Sequence, residues 1–422
     1  MQGRRAARGG IVLVVHDRPA LRRLTQQFAL VDGLRKEGIM DKALVSKRVS
    51  DITPFIVMEV LERAKAMERE GVHVIHLEVG EPDFDTPEVI VEAGIRALKD
   101  GHTHYTHSLG MIELREAICD HYKKTYGVTV SPDRVVVTCG SSPAIFMAFA
   151  ALLSPGDEVI ISDPHYACYP NFIRFAGGVP VRVPVSEDDA FQLTPSAIAE
   201  KITDRTKVIF INSPSNPTGT LLSAERMKEI AGLGPMVVSD EIYHGLVYEG
   251  KEHSILEFTD NAFVLNGFSK AYAMTGWRLG YLIAPAPFIR PLQKLHQNFF
   301  ISANAMAQVA GITALKQADD DVMRMRAIYD ERRRFMIRRL REIGFSIACE
   351  PTGAFYVFAN AKMFGADSYR LAFDILENAH VGVTPGIDFG PGGEGFLRFS
   401  YANSLDNIAE GLLRLERYLK AC

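Results

Sequence analysis

Gly267-Phe-Ser-Lys-Ala-Tyr-Ala-Met-Thr-Gly-Trp-Arg278 places one lysine, Lys270, directly behind Ser269 and eight residues ahead of Arg278, with the only tryptophan of the chain, Trp277, beside that arginine. A lysine amine acts as a nucleophile toward a carbonyl when it can condense to a Schiff base. A hydroxyl and a guanidinium close by are the groups that fix a phosphate. The three side chains together ask for a ligand that carries both an aldehyde and a phosphate. Alone, a Ser-Lys pair also reads as a solvated loop, so the meaning of the stretch depends on its surroundings.

The surrounding chain has 422 residues, enough for two domains or for one large and one small lobe. Its composition, 47% apolar and 23% charged, is that of an ordinary globular enzyme. The net charge of −4, from 47 basic and 51 acidic residues, gives no basic field for nucleic acid or a membrane surface. No apolar run reaches the length of a membrane span. Cys119, Cys139, Cys168, Cys349 and Cys422 show no C-x-x-C spacing and read as reduced thiols of a cytoplasmic protein. Residues 1–39 hold only a five-residue apolar run, Ile11 to Val15, too short for a secretory core. Globular-looking sequence starts near Met40, so residues 1–39 read as a weakly ordered extension or as sequence upstream of the true start.

From Pro54 the pattern is that of an amphipathic helix with proline in its first turn. Val74–Val79 reads as a short strand, ended by the turn-rich Gly80-Glu-Pro-Asp-Phe-Asp-Thr-Pro, and residues 87–99 as a helix. Beyond it, strands at Val135–Thr138, Glu158–Ser162, Val179–Val183, Val208–Asn212, Met236–Ser239, Phe263–Gly267 and Tyr281–Ala284 alternate with helices near 142–153, 166–176, 195–203, 223–232 and 287–317. A long charged helix follows from Asp319 to Ile343. Strands that are apolar throughout and separated by helices predict a mainly parallel sheet covered on both faces. The expected fold is α/β: residues 87–318 form a large domain of mainly parallel sheet flanked by helices, and residues 40–86 with 319–422 form a smaller α+β domain. Ligand sites in such sheets lie at the carboxyl ends of the strands. The polar motifs fall there: Gly140-Ser-Ser, Asp163-Pro-His-Tyr, Asn212-Ser-Pro-Ser-Asn-Pro-Thr-Gly, Asp240-Glu-Ile-Tyr and Ser269-Lys270.

Gly140-Ser141-Ser142, between a strand and a helix, would aim free N–H groups and two hydroxyls at an anion, or serve as a plain helix cap. Asp240 follows a buried strand, where an unpaired carboxylate is costly. A protonated cofactor pyridine would pair with it; a helix cap is the plainer reading. Tyr243 could donate to a phenolic oxygen, and Asn216 could offer its amide to the same oxygen or simply occupy a turn. Aldehyde, phosphate, pyridine nitrogen and phenolic oxygen together describe pyridoxal 5'-phosphate. His102, His104 and His107 share a loop with no supporting cysteine or carboxylate pattern, and no metal is expected.

Asn212–Gly219, Ser239–Tyr243 and Ser269–Tyr281 resemble the corresponding motifs of class I/II aminotransferases, fold-type I pyridoxal-phosphate enzymes of the aspartate aminotransferase superfamily. The resemblance runs in consistent order from about residue 45 to the C-terminus. It implies a catalytic set of Lys270, Asp240 and Tyr166. Lys270 anchors the cofactor and shuttles a proton, Asp240 keeps the pyridine nitrogen protonated, and Tyr166 stacks on the ring rather than being a core tyrosine. Asn216 and Tyr243 would bind the ring oxygen, and Ser141, Ser142, Ser269 and Arg278 the phosphate. Tyr105 would reach the phosphate of a neighbouring subunit, which implies a homodimer. Arg398, in Phe396-Leu-Arg-Phe-Ser-Tyr, would clamp the substrate α-carboxylate as a planar fork, with a backbone contact from Gly80; Asn216 and Tyr166 would also face the substrate. The implied activity moves an amino group between an L-amino acid and a 2-oxo acid, 2-oxoglutarate being the expected partner, by a ping-pong sequence. A lyase on the same scaffold is the alternative. A ligand-sensing regulatory module is the other, but residues 1–39 show no helix-turn-helix pattern. For the substrate side chain, Phe55 and Ile56 suggest apolar lining, and Arg290, Lys294 and the segment 298–304 are candidates by position.

Overall fold

The computed structural model describes residues 45–421; the readings made for residues 1–39 lie outside the described residues. Ahead of Pro54, where a separate unit begins, the described residues hold one helical turn, Lys47–Ser50, closed by Ser50 Oγ donating to the Lys47 carbonyl at 3.0 Å.

From Pro54 onward the strands are β1 (Ile75–His76), β2 (Val135–Thr138), β3 (Glu158–Asp163), β4 (Val179–Pro184), β5 (Thr206–Asn212), β6 (Met236–Asp240), β7 (Ala262–Gly267), β8 (Gly280–Ile283), β9 (Tyr356–Asn360), β10 (Val381–Gly382), β11 (Thr384–Pro385) and β12 (Phe396–Ser400). Seven of them form one sheet in the order β2-β8-β7-β6-β5-β3-β4. β8 runs antiparallel to both neighbours, and the remaining pairs are parallel. The other six strands therefore point the same way, and their carboxyl ends share one edge.

Successive strand residues face opposite sides of a sheet, and both sides here are apolar. Val135, Val137, Ile209, Ile211, Val237 and Val264 pack with Leu114, Ile118 and Ala310 on one face. Val136, Val208, Phe210, Val238, Phe263 and Leu265 pack with Ala148, Phe149 and Leu292 on the other. This double coverage is the reason the strands read as continuous apolar runs. A second core joins the two ends of the chain: Ile75 and Leu77 pack with Tyr356, Val381, Leu397, Phe399, Ile408 and Leu412. Around it lie a parallel pair, β1-β10, and an antiparallel sheet, β11-β12-β9. No helix among the described residues is long and apolar enough to cross a membrane.

Three local expectations change. The helix expected over 287–317 is two, Ala286–Phe299 and Ala305–Gln317. Ile301 takes a left-handed φ of 67°, which no helix continues through, and Asn304 caps the second helix by accepting from the Ala307 N–H at 3.0 Å. The strand expected over Val74–Val79 keeps only Ile75–His76 in its ladder, because the Glu78 carbonyl turns to Thr384 and Arg398 instead. A helix over Ile112–Tyr126, closed by the left-handed Gly127 at φ 72°, is an additional element.

Phe263 on β7 is fully buried. Phe263→Ala is expected to lower unfolding stability by about 3–5 kcal/mol, read as a shift of the urea midpoint.

Candidate active site

Five of the six co-directional strands deliver chemistry to the shared edge: β2 leads into Ser141 and Ser142, β3 toward Tyr166, β5 to Asn212 and Asn216, β6 to Asp240 and Tyr243, and β7 to Ser269 and Lys270. These ends open onto a cavity of about 270 Å³. Lys270, Asp240, Tyr166, Tyr243, Asn216, Ser141, Ser142, Ser269, Arg278, Arg398 and Gly80 all line it. Tyr105 does not; it is 80% exposed. Phe55 lines the wall together with Val57, Met58 and Leu61, whereas Arg290, Lys294 and residues 298–304 are not part of it. Ile56 contributes its backbone: the Ile56 and Val57 N–H groups donate to buried Asp388 at 2.9 and 3.1 Å, which caps the helix Ile56–Arg69.

Three cations meet in this space, Lys270, Arg278 and Arg398, and none has an ion pair among the described residues. Lys270 Nζ donates to the Gly80 carbonyl at 2.5 Å. Burial pushes its pKa down from 10.5 to about 8, so near neutral pH a useful fraction of the amine is unprotonated and nucleophilic. Arg398 is buried between the rings of Tyr356 and Phe389, 4.3 and 4.9 Å from their centroids. Its Nη1 donates to Asn216 Oδ1 at 2.8 Å and its Nη2 to the Glu78 carbonyl at 2.6 Å, while Nε has no partner. Arg278 sits at the exposed rim with a left-handed φ of 53° and donates to the Thr275 carbonyl at 2.9 Å.

On the floor, Asp240 accepts from Tyr169 Oη at 2.7 Å and from the Ile242 N–H at 3.2 Å. Burial lifts its pKa from 3.8 to about 6 despite those bonds. Asn212 ties the Asn216 loop to this floor: its Nδ2 donates to the Asp240 carbonyl at 2.9 Å and its Oδ1 accepts from the Asn216 N–H at 2.9 Å. Tyr243 and Tyr356 share a hydroxyl bond of 2.8 Å. A Cβ on Gly80 would stand 2.2 Å from the Tyr356 hydroxyl, so only glycine lets the chain pass there. Tyr169, Tyr356 and Asn212 are the site residues that the sequence alone left without a role. Tyr169 follows Tyr166 by three residues at a helix start, a spacing that could have flagged it.

The model for aminotransferase class I and II matches residues 72–415. The chain belongs to the class I and II aminotransferases. It is 44% identical over 380 residues to a (5-formylfuran-3-yl)methyl phosphate transaminase of Methanocaldococcus jannaschii, covering 89% of this chain and 100% of that one. Identity to an aspartate aminotransferase of Pyrococcus horikoshii is 41% over 394 residues, covering 92% and 98%. The solved aspartate aminotransferase of Thermus thermophilus with maleate matches with a TM-score of 0.85 at 38% identity, covering 88% and 99%. This aminotransferase is thus a fold-type I pyridoxal-phosphate enzyme acting on amino and 2-oxo acids.

The residues of the aminotransferase fit that cofactor. Gly140, at φ 102°, holds a backbone conformation that residues with a Cβ rarely adopt, and a Cβ there would press on Arg278 Nη2 at 2.7 Å. The helix Ser141–Leu152 that follows has no side-chain cap and no acidic residue in its first turn. Its open N–H groups, with Ser141, Ser142, Ser269 and Arg278 lining the same cavity, are groups that would hold an anion such as a phosphate. The buried Asp240 carboxylate has hydrogen-bond donors but no cation, which is what a pyridinium would supply.

A carboxyl raised to about 6 in the folded state prefers its proton there. Its ionisation therefore removes stability as pH rises from about 4 through 6. Asp240→Asn should stabilise the cofactor-free protein at pH 8 by roughly 1–3 kcal/mol, with the difference vanishing near pH 4, while weakening cofactor retention. Urea unfolding at the two pH values and cofactor dialysis check both halves.

Proposed function

We propose that this aminotransferase exchanges an amino group between an L-amino acid and 2-oxoglutarate by a ping-pong sequence, with the roles of its site residues as follows. The observation that carries the reading is the convergence of three unpaired cations and one unpaired buried carboxylate in a single cavity. When bound, pyridoxal phosphate supplies an aldehyde for the amino group and a ring that accepts the electron pair of the substrate α-carbon. Lys270 Nζ anchors the cofactor, and once released it carries the α-proton. Its pKa of about 8 suits an amine that must both accept and return a proton. Asp240 holds a proton on the ring nitrogen, and Tyr169, bonded to the same carboxylate, fixes its direction. Asn216 and Tyr243 orient the ring oxygen, Tyr166 covers the ring face, and Ser141, Ser142, Ser269 and Arg278 hold the phosphate.

Arg398 clamps the substrate α-carboxylate. Its guanidinium is pre-set by Asn216, the Glu78 carbonyl and two aromatic rings, so little ordering is needed when the carboxylate arrives. The similarity to two aspartate aminotransferases supports a dicarboxylate as one partner. Tyr105, 80% exposed in the single chain, supports a homodimer in which it completes the phosphate site of the other subunit. We further propose the division into residues 40–86, 87–318 and 319–422, and a cytoplasmic location.

A panel of amino donors with 2-oxoglutarate should yield glutamate from at least one donor, and the donor alone should convert the enzyme to its amino form. Elimination products without that conversion would identify a lyase instead. Lys270→Ala should lower transamination at least about 1000-fold and abolish the visible band of the lysine-bound cofactor. Wild-type turnover by that variant would refute the assignment.

A further inference from the structure

The helix Ile56–Arg69 carries apolar residues on two faces. Val60, Ala64 and Met67 are buried on one of them, where they pack with Val74 and Leu376. Met58 and Leu61 take no part in that core. Met58 is 44% exposed and Leu61 half-buried, and both line the active-site cavity together with Phe55 and Val57. Apolar side chains left out of the core and lining a cavity are a surface for a ligand. In the roles proposed above, Lys270, Asp240, Arg278 and the serines face the cofactor, and Arg398 faces the substrate carboxylate. The lining that remains for the substrate's side chain is mainly apolar, and four of its residues come from this one stretch.

The middle of the helix is held by its core face and by the Arg63–Glu377 ion pair at 2.5 Å. Its first turn is held differently, because no side chain of its own caps it. Asp388, 332 positions further on, does so: Oδ1 accepts from the Ile56 N–H at 2.9 Å and Oδ2 from the Val57 N–H at 3.1 Å. A carboxylate there also faces the positive end of the helix dipole. Burial raises the Asp388 pKa, whereas the two N–H bonds and the Arg398 charge pull it down. The turn Gly386–Phe389 that presents Asp388 is itself fixed. The Ile387 N–H donates to buried Ser368 Oγ at 3.1 Å, and the Phe389 carbonyl accepts from the His165 N–H at 2.9 Å. The Phe389 ring lies against Arg398. One short turn thus touches both the carboxylate clamp and the apolar wall.

We propose that Asp388 is a positioning residue for side-chain selection: it seats the first turn of the helix Ile56–Arg69 so that Phe55, Met58 and Leu61 receive an extended apolar side chain on the amino acid that Arg398 holds. The second carboxylate of 2-oxoglutarate finds solvent at the same place, since Met58 is open to it. Without Asp388, two N–H groups lose their acceptors and the first turn frays, while the rest of the helix stays on its core face. The defect is therefore selective. It grows with the length of the donor side chain and spares the groups that do the chemistry. This inference rests on the reading of Arg398 as carboxylate clamp.

The test assays the holoenzyme with 2-oxoglutarate and a series of unbranched donors: alanine, 2-aminobutyrate, norvaline and norleucine. In the wild type kcat/KM should rise about threefold per added methylene. Asp388→Ala should flatten the series, lowering kcat/KM about tenfold for norleucine and less than about threefold for alanine, mainly through KM. A merely structural defect lowers all four donors by the same factor, so a uniform loss overturns the proposal. A flat series in the wild type also overturns it, because the wall then makes no contact with the side chain. If Asp388→Ala does not fold, Asp388→Asn decides, since it keeps one acceptor. A loss of about threefold for norleucine that spares alanine supports the proposal, and an unchanged series or a uniform loss refutes it. Arg398→Gln separates the two levels. If it leaves the KM of every donor unchanged, the clamp reading fails; if it raises them all while Asp388→Ala leaves the series as steep as in the wild type, only the positioning role fails.

Discussion

Positive charge without a counter-charge is the constraint on which this cavity is built. Lys270 can relieve it by giving up a proton: burial first, and then the charges of Arg398 and Arg278, bring its pKa down to about 8. An arginine has no such route. Arg278 remains charged at the exposed rim, and Arg398 remains charged in the interior, held by two carbonyl-type oxygens and two ring faces. In the proposed reading anionic ligands complete the balance, a phosphate at one end and a carboxylate at the other, with the ring nitrogen of the cofactor at the unpaired Asp240. The glycines follow from the same demand for close approach. A Cβ on Gly280 would lie 2.6 Å from the Gly140 backbone, so β8 can support the phosphate turn only through a bare chain.

The sheet explains how so many groups from distant parts of the sequence arrive together. Six strands pointing one way leave their carboxyl ends on one edge, and each end exits into a loop that carries one part of the chemistry. The substrate end is built differently. Glu78, Asn216 and Arg398 come from the beginning, middle and end of the chain, joined through β1-β10 and β11-β12. In the proposed roles, binding of the carboxylate would depend on contacts between these distant parts, whereas binding of the cofactor would depend mainly on the large sheet.

Much of this was legible in the sequence because the residues concerned lie in short local patterns. Lys270 with Ser269 and Arg278, Asp240 with Tyr243, and Gly140 with two serines are each readable within a dozen residues, and the apolar strands gave the sheet. What stayed hidden was set at a distance. Tyr169 acquires meaning only through a carboxylate 71 positions away, and Tyr356 through Tyr243, 113 positions away. His76 and Glu78 read as ordinary strand residues, since nothing local reveals that the strand ends early and that one carbonyl serves Arg398. The break near Ile301 depends on a backbone angle that an isoleucine rarely takes, so periodicity ran through it.

The proposed attachment of the cofactor to Lys270 is the point from which every other proposed role follows. Reduction of the reconstituted enzyme with borohydride, followed by proteolysis and mass spectrometry, fixes the Schiff base as a stable amine and locates it. The expected result is a single phosphopyridoxyl group on Lys270, in the peptide that contains Ser269. A label on another lysine, or no covalent label on an enzyme that still transaminates, would contradict it.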